Sequence, residues 1–289
     1  TGADAGEYCV IWLGPELPGD QRRDDAHSAC FDTSPLNDDL PVIGAPQVRL
    51  TLSSDQPVAQ IAVRLSHVHP DGAATRITYG VLNLARHLGR ALVPGQREEV
   101  TLSLDHIAYR VPAGHRLRGA ISSAYWPLIW PGPAPTTLKL HAGALDVQYM
   151  RPAGDWSFPT PDAAPPWQTE EIRPENHVRR QETDMVTGLT HLVIEDDFGK
   201  VRDADHDLIS GSVARERWSI HPDDPLSARG TCHWTDELER DGIALRTETA
   251  CEMWSDATHF HLNATLEAFE YDSPVYHRTV SDKIRRDLL

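Results

Sequence analysis

Alternation of apolar and polar residues with a period of two is the feature that most restricts how this chain can fold. The pattern runs through 48–52, 61–65 and 100–104, where aliphatic side chains fall on one side of an extended backbone. Turn-forming sequences separate such segments, as at Pro70-Asp71-Gly72 and Pro112-Ala113-Gly114. Short strands with frequent turns and little helical periodicity predict an all-β fold, an antiparallel jelly-roll (galactose-binding-like) β-sandwich.

Sequences of the same kind predict further strands, and one short helical segment is predicted at 83–88. The additional strands are 76–82, 116–122, 138–141, 144–149, 189–195 (followed by a turn at 197–199), 213–220, 258–271 and 275–280.

Proline divides the chain. Six prolines fall within 151–174, and proline cannot donate the hydrogen bond that a strand or helix requires. We therefore predict a jelly-roll core over 1–150, a proline-rich connector over 151–185 and an antiparallel β extension over 186–289. Two arrangements of the extension stay open: it packs on the sandwich, or it forms a second lobe.

The dipeptide Asp241-Gly242 predicts a two-residue hairpin turn, because both central residues of a type I′ turn need a positive φ. Such a turn places Leu238 opposite Leu245 and Cys232 opposite Cys251. Four cysteines in 289 residues are too few for a disulfide scaffold. We expect Cys232 and Cys251 to be two buried thiols rather than a disulfide or a metal site.

The net charge of −16 argues against nucleic acid or an anionic membrane as partner, since both attract basic surfaces. The acidity is uneven: residues 1–150 carry 12 basic and 15 acidic side chains, whereas residues 151–289 carry 15 and 28. No apolar run approaches the roughly 20 residues of a membrane span. We expect a soluble chain with neither nucleic acid nor membrane as partner.

Motifs for catalysis and cofactor binding are missing from the sequence. There is no Gly-x-Ser-x-Gly elbow, no glycine-rich phosphate loop and no Cys-x-x-Cys pair. The run Asp203-Ala204-Asp205-His206-Asp207 lacks the later glycine and glutamate of a calcium-binding loop. We therefore expect no catalytic residue and no cofactor in this chain.

Histidine is frequent, with 15 copies, and two pairs have metal-ligand spacing. His67 and His69 lie two residues apart on one strand face, as do His259 and His261. A closed site needs further ligands that the sequence does not place nearby. We expect solvated or hydrogen-bonded histidines and assign no metal ligand.

Trp126, Pro127, Trp130 and Pro131 concentrate two indoles and two prolines in six residues after a predicted strand. Proline keeps this segment out of a central strand, so a rigid loop with large apolar side chains is predicted. Three roles stay open: a loop folded over its own core, a docking surface for another domain or chain, and a platform for stacking carbohydrate.

A series of segments in the first half of the chain resembles one known β domain. It comprises Gly19 to Asp25, Phe31 to Leu36, Ile43 to Pro46, Ser54 to Pro57, Val68 to Gly72, Gly80 to Asn83, Pro112 to Arg118 and Ser122 to Pro127. Together they resemble the C-terminal jelly-roll domain of the X-Pro dipeptidyl-peptidase and CocE/NonD family of serine hydrolases, which includes cocaine esterase.

The resemblance implies that the catalytic triad lies outside this chain, in an α/β-hydrolase domain that precedes it. The sequence begins at Thr1 without an initiator methionine, and we interpret it as part of a longer polypeptide. The chain alone is expected to be inactive. Its implied role is to stabilise the hydrolase and helical cap domains, in the same polypeptide or a companion subunit, and to help shape the substrate cleft.

The resemblance also implies candidate site residues. Those proposed for the domain interface are Trp126, Pro127, Trp130, Pro131, Asp24 and Asp25, and those proposed for structural turns are Asp71, Gly72, Gly114 and His115. Asp241 and Gly242 are further turn residues, predicted from the hairpin sequence rather than from the resemblance. A bacterial cytoplasmic location and self-association into a homodimer through exposed docking surface are further expectations. The alternative function is a stand-alone jelly-roll module that binds carbohydrate or another ligand.

Overall fold

A computed structural model describes residues 1–7, 16–149, 154 and 157–289 of the chain. The chain divides into two compact units: unit 1 is Thr1–Asp155 with Asp287–Leu289, and unit 2 is Trp156–Arg286. Strands dominate both units, and the described helices, α1 (Arg22–Asp25) and α2 (Leu84–Leu88), have four and five residues. The all-β prediction is confirmed. The jelly-roll order of the strands stays a prediction.

Unit 1 consists of antiparallel strands in three sheets. The strands are β1 (Ala29–Asp32), β2 (Leu40–Gly44), β3 (Gln47–Ser54), β4 (Gln60–Val68), β5 (Ala74–Asn83), β6 (Glu98–Ser103), β7 (Ile107–Val111), β8 (Arg116–Ser122) and β9 (Leu138–Asp146). The sheet orders are β1-β8-β4-β5, β6-β3-β9 and β2-β7.

The two larger sheets of unit 1 share one apolar core. Leu50 and Leu52 of β3 are buried in the same cluster as Ile61, Val63 and Leu65 of β4. Their alternation along each strand puts the aliphatic side chains between the sheets, where burial of apolar surface stabilises the pair. The arrangement is a β-sandwich, as the alternation predicts.

Strand β4 is buried on both faces, and its second face is polar. Arg64 lies between Val63 and Leu65 in sequence but points away from the sandwich core and is fully buried. Its partners Gln21, Asp25 and Ser28 lie in or beside α1. The segment around α1 therefore covers the outer face of the β4 sheet.

The predicted helical segment at 83–88 is present as α2. The Asn83 side chain accepts a hydrogen bond from the Arg86 backbone N–H, and Gly89 closes the helix in the left-handed conformation. The predicted strands 138–141 and 144–149 are merged in the single strand β9. Helix α1 and the short strands β1, β2 and β7 were not predicted, because four or five residues carry too little periodicity.

Unit 2 is an antiparallel sheet of long strands. They are β10 (Thr169–Arg173), β11 (Asn176–Thr183), β12 (Thr190–Asp203), β13 (Leu208–His221), β14 (Asp224–Arg240), β15 (Ile243–Ser255), β16 (His259–Glu270) and β17 (Ser273–Arg285). The order is β10-β12-β13-β14-β15-β16-β17, and β11 also pairs with β12.

The expected connector over 151–185 is wrong in its second half, because β10 and β11 occupy 169–173 and 176–183. Both strands pair with β12. Pro174 lies in the gap between them, where its missing N–H costs no ladder bond. The turn expected at 197–199 is likewise a bulge inside the continuous strand β12.

The β14–β15 hairpin has the register that the sequence predicts. Asp241 and Gly242 both have positive φ, 51° and 75°, and Cys232 lies directly opposite Cys251. Both cysteines carry free thiols, but Cys251 is exposed and Cys232 only half-buried. The expectation of two buried thiols is therefore wrong for Cys251. Hairpin geometry fixes which residues face each other, but not how far the other strands cover them.

Burial, together with the nearby Glu216 carboxylate, raises the pKa of the Cys232 thiol to about 11. Because the thiolate is the reactive form, we expect alkylation of Cys232 by iodoacetamide to accelerate about tenfold per pH unit between pH 8 and 10. Peptide-resolved mass spectrometry separates this rate from those of the other cysteines. Glu216→Gln should shift the pH dependence of the Cys232 alkylation rate to lower pH. A rate that levels off by pH 9 would contradict the raised pKa.

Neither helix in the described ranges has the length and apolar character needed to cross a membrane.

Candidate domain-docking site

The Trp-Pro loop, residues 123–137, joins β8 to β9 in unit 1. Its base is Tyr125, whose side chain is fully buried with Ala5 and Ala62. Leu128 and Ile129 pack against the same small cluster. Part of the apolar content of the loop is thus used to hold the loop on its own domain, which matches one of the three roles left open by the sequence.

The predicted docking residues have different exposures. Trp126, Pro127 and Trp130 are half-buried, whereas Pro131 is buried. The two indole rings meet edge to face, with centroids 5.2 Å apart and planes inclined by 79°. Two rings in this orientation do not form the flat platform on which a sugar ring would stack. They offer a compact apolar ridge instead.

The first residues of the chain run beside this loop. The Trp126 backbone N–H donates to the Thr1 carbonyl oxygen at 3.1 Å, and the Thr1 hydroxyl donates to the Ala124 carbonyl. Gly2 has a φ of +110°, and a Cβ there would lie 2.0 Å from the Trp126 carbonyl oxygen. Only glycine permits this close approach. The start of the chain is therefore held against the backbone of the Trp-Pro loop.

Asp24 fixes the first residues of the chain from the other side. Its Oδ1 accepts hydrogen bonds from the backbone N–H groups of Gly2 and Ala3 at 2.9 and 3.1 Å, and its Oδ2 accepts from Asp4 at 3.2 Å. The carboxylate is 1% exposed. It accepts hydrogen bonds from three successive backbone amides, and these bonds offset the cost of burying the carboxylate.

Asp25 belongs to a separate buried ion network. Its Oδ1 lies 3.0 Å from Arg64 Nη2, and its Oδ2 accepts a hydrogen bond from Arg118 Nη1 at 2.9 Å. Arg118 in turn forms a fork to both carboxylate oxygens of Asp32, at 2.7 and 2.8 Å. The hydrogen bonds from Arg118 lower the pKa of Asp32.

Asp24 and Asp25 are thus buried inside unit 1, and a partner domain would not reach either side chain directly. Their interface role stays a prediction, and the structure limits it to holding the backbone beside the interface. The sequence did not point to this network, because Arg64 falls on the polar face of the alternating segment 61–65, the face that the alternation predicts to be exposed.

The predicted turn residues lie between strands. Asp71 and Gly72 connect β4 to β5, with Gly72 at a φ of +89°. Gly114 has a φ of +81°, and His115 directly precedes β8. The acidic run at 203–207 joins β12 to β13, where Asp203 bonds to His206 and Asp207 to Arg202.

The second His-x-His pair makes hydrogen bonds within unit 2. His261 Nε2 lies 2.8 Å from Asp256 Oδ2, and its ring stacks on Trp254 with centroids 5.1 Å apart. The hydrogen bond from His261 lowers the pKa of Asp256. Both histidines of this pair are hydrogen-bonded to neighbouring residues, His261 to Asp256 and His259 to Thr258, as expected from the sequence.

A family model for the X-Pro dipeptidyl-peptidase C-terminal non-catalytic domain matches residues 2–158, more than half of the chain. The chain belongs to this family. The match spans the sandwich of unit 1 and the Trp-Pro loop, and it ends where unit 2 begins. The resemblance carried by the motifs of the first half is therefore confirmed, and the absence of a nucleophile motif agrees with a non-catalytic domain.

Solved structures give weaker likenesses. An aminopeptidase from the marine sediment archaeon Thaumarchaeota archaeon is 20% identical, with a TM-score of 0.45, over 50% of this chain and 30% of that chain. An α-amino acid ester hydrolase is 19% identical, with a TM-score of 0.45, over 47% and 28%. A CocE/NonD family hydrolase from Staphylococcus aureus is 12% identical, with a TM-score of 0.31, over 36% and 24%.

The matched part of the chain thus covers less than a third of each of these hydrolases. No curated protein matches the chain in sequence.

Proposed function

We propose that this family member is the docking domain of a CocE/NonD or X-Pro dipeptidyl-peptidase type acyl or peptidyl serine hydrolase. It stabilises the α/β-hydrolase and cap domains and helps to shape the substrate cleft. In such an enzyme an acyl-serine intermediate forms on the hydrolase domain, with histidine as general base and aspartate orienting it. This chain supplies none of those groups; its contribution is contact surface.

The observation that carries the proposal is the indole pair Trp126 and Trp130 on the Trp-Pro loop, within the part of the chain that the family model matches. Both indoles are half-buried, so each keeps apolar surface that a partner domain can cover. Tryptophan is the residue type most enriched among the energetically dominant contacts of interfaces.

Finer points of the proposal concern assembly and location. In the proposed enzyme the hydrolase domain belongs to the same polypeptide as this chain. The alternative arrangement is a hydrolase domain on a companion subunit. The indoles are half-buried in the isolated chain, and the apolar surface that they leave accessible favours self-association into a homodimer. The free thiols of Cys232 and Cys251, directly opposite each other, fit a reducing bacterial cytoplasm.

The test is the double variant Trp126→Ala/Trp130→Ala in the polypeptide that carries both the hydrolase domain and this chain. We expect the free energy of unfolding of the hydrolase to fall by about 2–4 kcal/mol, because two buried interface tryptophans are lost. Thermal inactivation of esterase activity and calorimetry measure the effect, and kcat/KM should fall with it.

The matched control is Trp167→Ala, since Trp167 is 62% exposed and lies in unit 2. Circular dichroism of the chain alone must show the same fold for both variants. If the double variant inactivates at the same rate as the control, the indoles do not dock the hydrolase.

A further inference from the structure

Three histidines meet at the end of the β4–β8 pair in unit 1. His67 is the penultimate residue of β4, His69 follows that strand, and His115 precedes β8. One ring nitrogen from each lies within 4.8 Å of the others. His67 and His69 are stacked, with centroids 4.1 Å apart, and His115 is tilted against His67 at 4.7 Å.

Ordered turns hold the backbones that carry His69 and His115. The His69 N–H donates to the Ala73 carbonyl at 2.8 Å, and the His115 carbonyl accepts from the Leu36 N–H at 2.8 Å. His67 is fixed by the sheet itself, paired with Leu117 of β8. The backbone hydrogen bonds at two strand ends thus hold the three histidines in place, so that their imidazoles are preorganised.

Both nitrogens of His67 have a partner within hydrogen-bond distance. Nδ1 is 2.9 Å from the Tyr109 hydroxyl oxygen, and Nε2 is 2.5 Å from His115 Nδ1. A neutral imidazole has one N–H and one lone pair. If Nδ1 donates to Tyr109, the lone pair of Nε2 points toward His115.

We propose that His67, His69 and His115 bind a divalent transition-metal ion of the zinc type, with a fourth position open to solvent. Neutral imidazole nitrogens suit zinc, copper and nickel, whereas calcium and magnesium require oxygen ligands. Three protein ligands with one open position is the coordination pattern of exchangeable zinc sites.

The geometry requires only small side-chain movements. Zinc–nitrogen bonds of about 2.0–2.1 Å place ligand nitrogens roughly 3.3 Å apart in a tetrahedral site. The His67–His115 contact at 2.5 Å must open by about 1 Å, and the widest nitrogen separation must close. His69 and His115 are half-buried at turn ends, and His69 Nε2 lies 3.1 Å from the Thr75 hydroxyl oxygen, which leaves its Nδ1 as the nitrogen available to a metal ion. His67 Nδ1–H then donates to Tyr109, the outer-shell bond that orients a metal-bound histidine.

The experiment titrates the chelator-treated chain with Zn²⁺ by calorimetry and thermal unfolding. We expect one ion per chain and a rise in Tm of about 5–10 °C at free Zn²⁺ a hundredfold above Kd. Ca²⁺ and Mg²⁺ should leave Tm unchanged. Co²⁺ should give the intense visible absorption of a low-symmetry nitrogen site, which reports on coordination independently of stability.

Variants separate this site from binding elsewhere on a chain with 15 histidines. His69→Gln and His115→Gln should each weaken Zn²⁺ binding at least about 100-fold, and Tyr109→Phe should weaken it about 10- to 100-fold. The matched control is the other His-x-His pair, His259→Gln/His261→Gln, which should bind as the parent chain does.

All variants must unfold like the parent in the presence of chelator, so that lost binding is not lost folding. The proposal is overturned if no Zn²⁺ binds with unit stoichiometry. It is equally overturned if binding survives His69→Gln and His115→Gln, or if only the His259/His261 variant loses it.

Discussion

Arg64→Met is expected to lower the free energy of unfolding of the chain by about 3–5 kcal/mol. Arg64 is fully buried and donates to Gln21 Oε1 at 2.9 Å and to Ser28 Oγ at 2.8 Å, while Asp25 lies 3.0 Å away. Methionine keeps most of the volume but removes the charge. Asp25 then stays buried with Arg118 as its remaining ion-pair partner in the described part of the chain, and two polar groups lose their donor.

Urea unfolding of the purified chain measures the loss from the shift of the midpoint at constant m. Arg22→Met is the matched control, because Arg22 pairs with Asp20 on the surface and such pairs contribute about 0–1 kcal/mol. Adding Asp25→Asn to Arg64→Met should recover part of the loss, since it removes a buried carboxylate that has lost one of its two arginine partners. Equal effects of Arg64→Met and Arg22→Met would show that the network does not stabilise unit 1.

Local patterns in the sequence were sufficient for much of the fold. The hairpin at Asp241-Gly242 is determined by the φ of two residues, and the register of the strands on either side then follows residue by residue. Strand β8 coincides with the predicted segment 116–122, because its alternation and its preceding turn lie in one short window. Helix α2 has its cap and its closing glycine within seven residues.

The candidate sites depend on contacts between residues far apart in sequence, and this is why they were only partly predicted. His115 was noted as a turn residue and His67 as half of a pair, but 48 positions separate them, and only the β4–β8 pairing brings them together. Asp24 was assigned to an interface, whereas it binds the amides of Gly2, Ala3 and Asp4. The apolar–polar periodicity of a sequence carries no information about such contacts between distant residues.

Unit 2 is the part of the chain that the family match does not explain. It begins at Trp156, and the match ends at residue 158. The excess of acidic side chains also lies in this half, where long strands carry ion pairs such as Lys200 with Glu237 and Arg173 with Glu237. The docking role proposed above therefore rests on unit 1 alone.

Tyr125→Ala is the second substitution with a large expected effect, about 3–5 kcal/mol of unfolding free energy. The Tyr125 ring is fully buried at the base of the Trp-Pro loop, 5.7 Å from the Tyr79 ring. Its hydroxyl oxygen accepts a hydrogen bond from Arg76 Nη1 at 2.5 Å, and the same nitrogen donates to the Ala5 carbonyl at 2.7 Å. Truncation leaves a cavity and removes one hydrogen-bond partner of the half-buried Arg76 guanidinium.

Tyr125→Phe separates these two losses, because it keeps the ring and removes only the charge-assisted hydrogen bond, for an expected cost of about 1.5–3 kcal/mol. Since Arg76 also holds Ala5, both variants should loosen the first residues of the chain, which hydrogen exchange at the Trp126 amide would detect as faster exchange. Val81→Ala, at a residue 41% exposed, is the control and should cost little. If Tyr125→Phe unfolds like the parent and the Trp126 amide stays protected, the hydroxyl does not couple the loop to the start of the chain, and the docking surface must be held by ring packing alone.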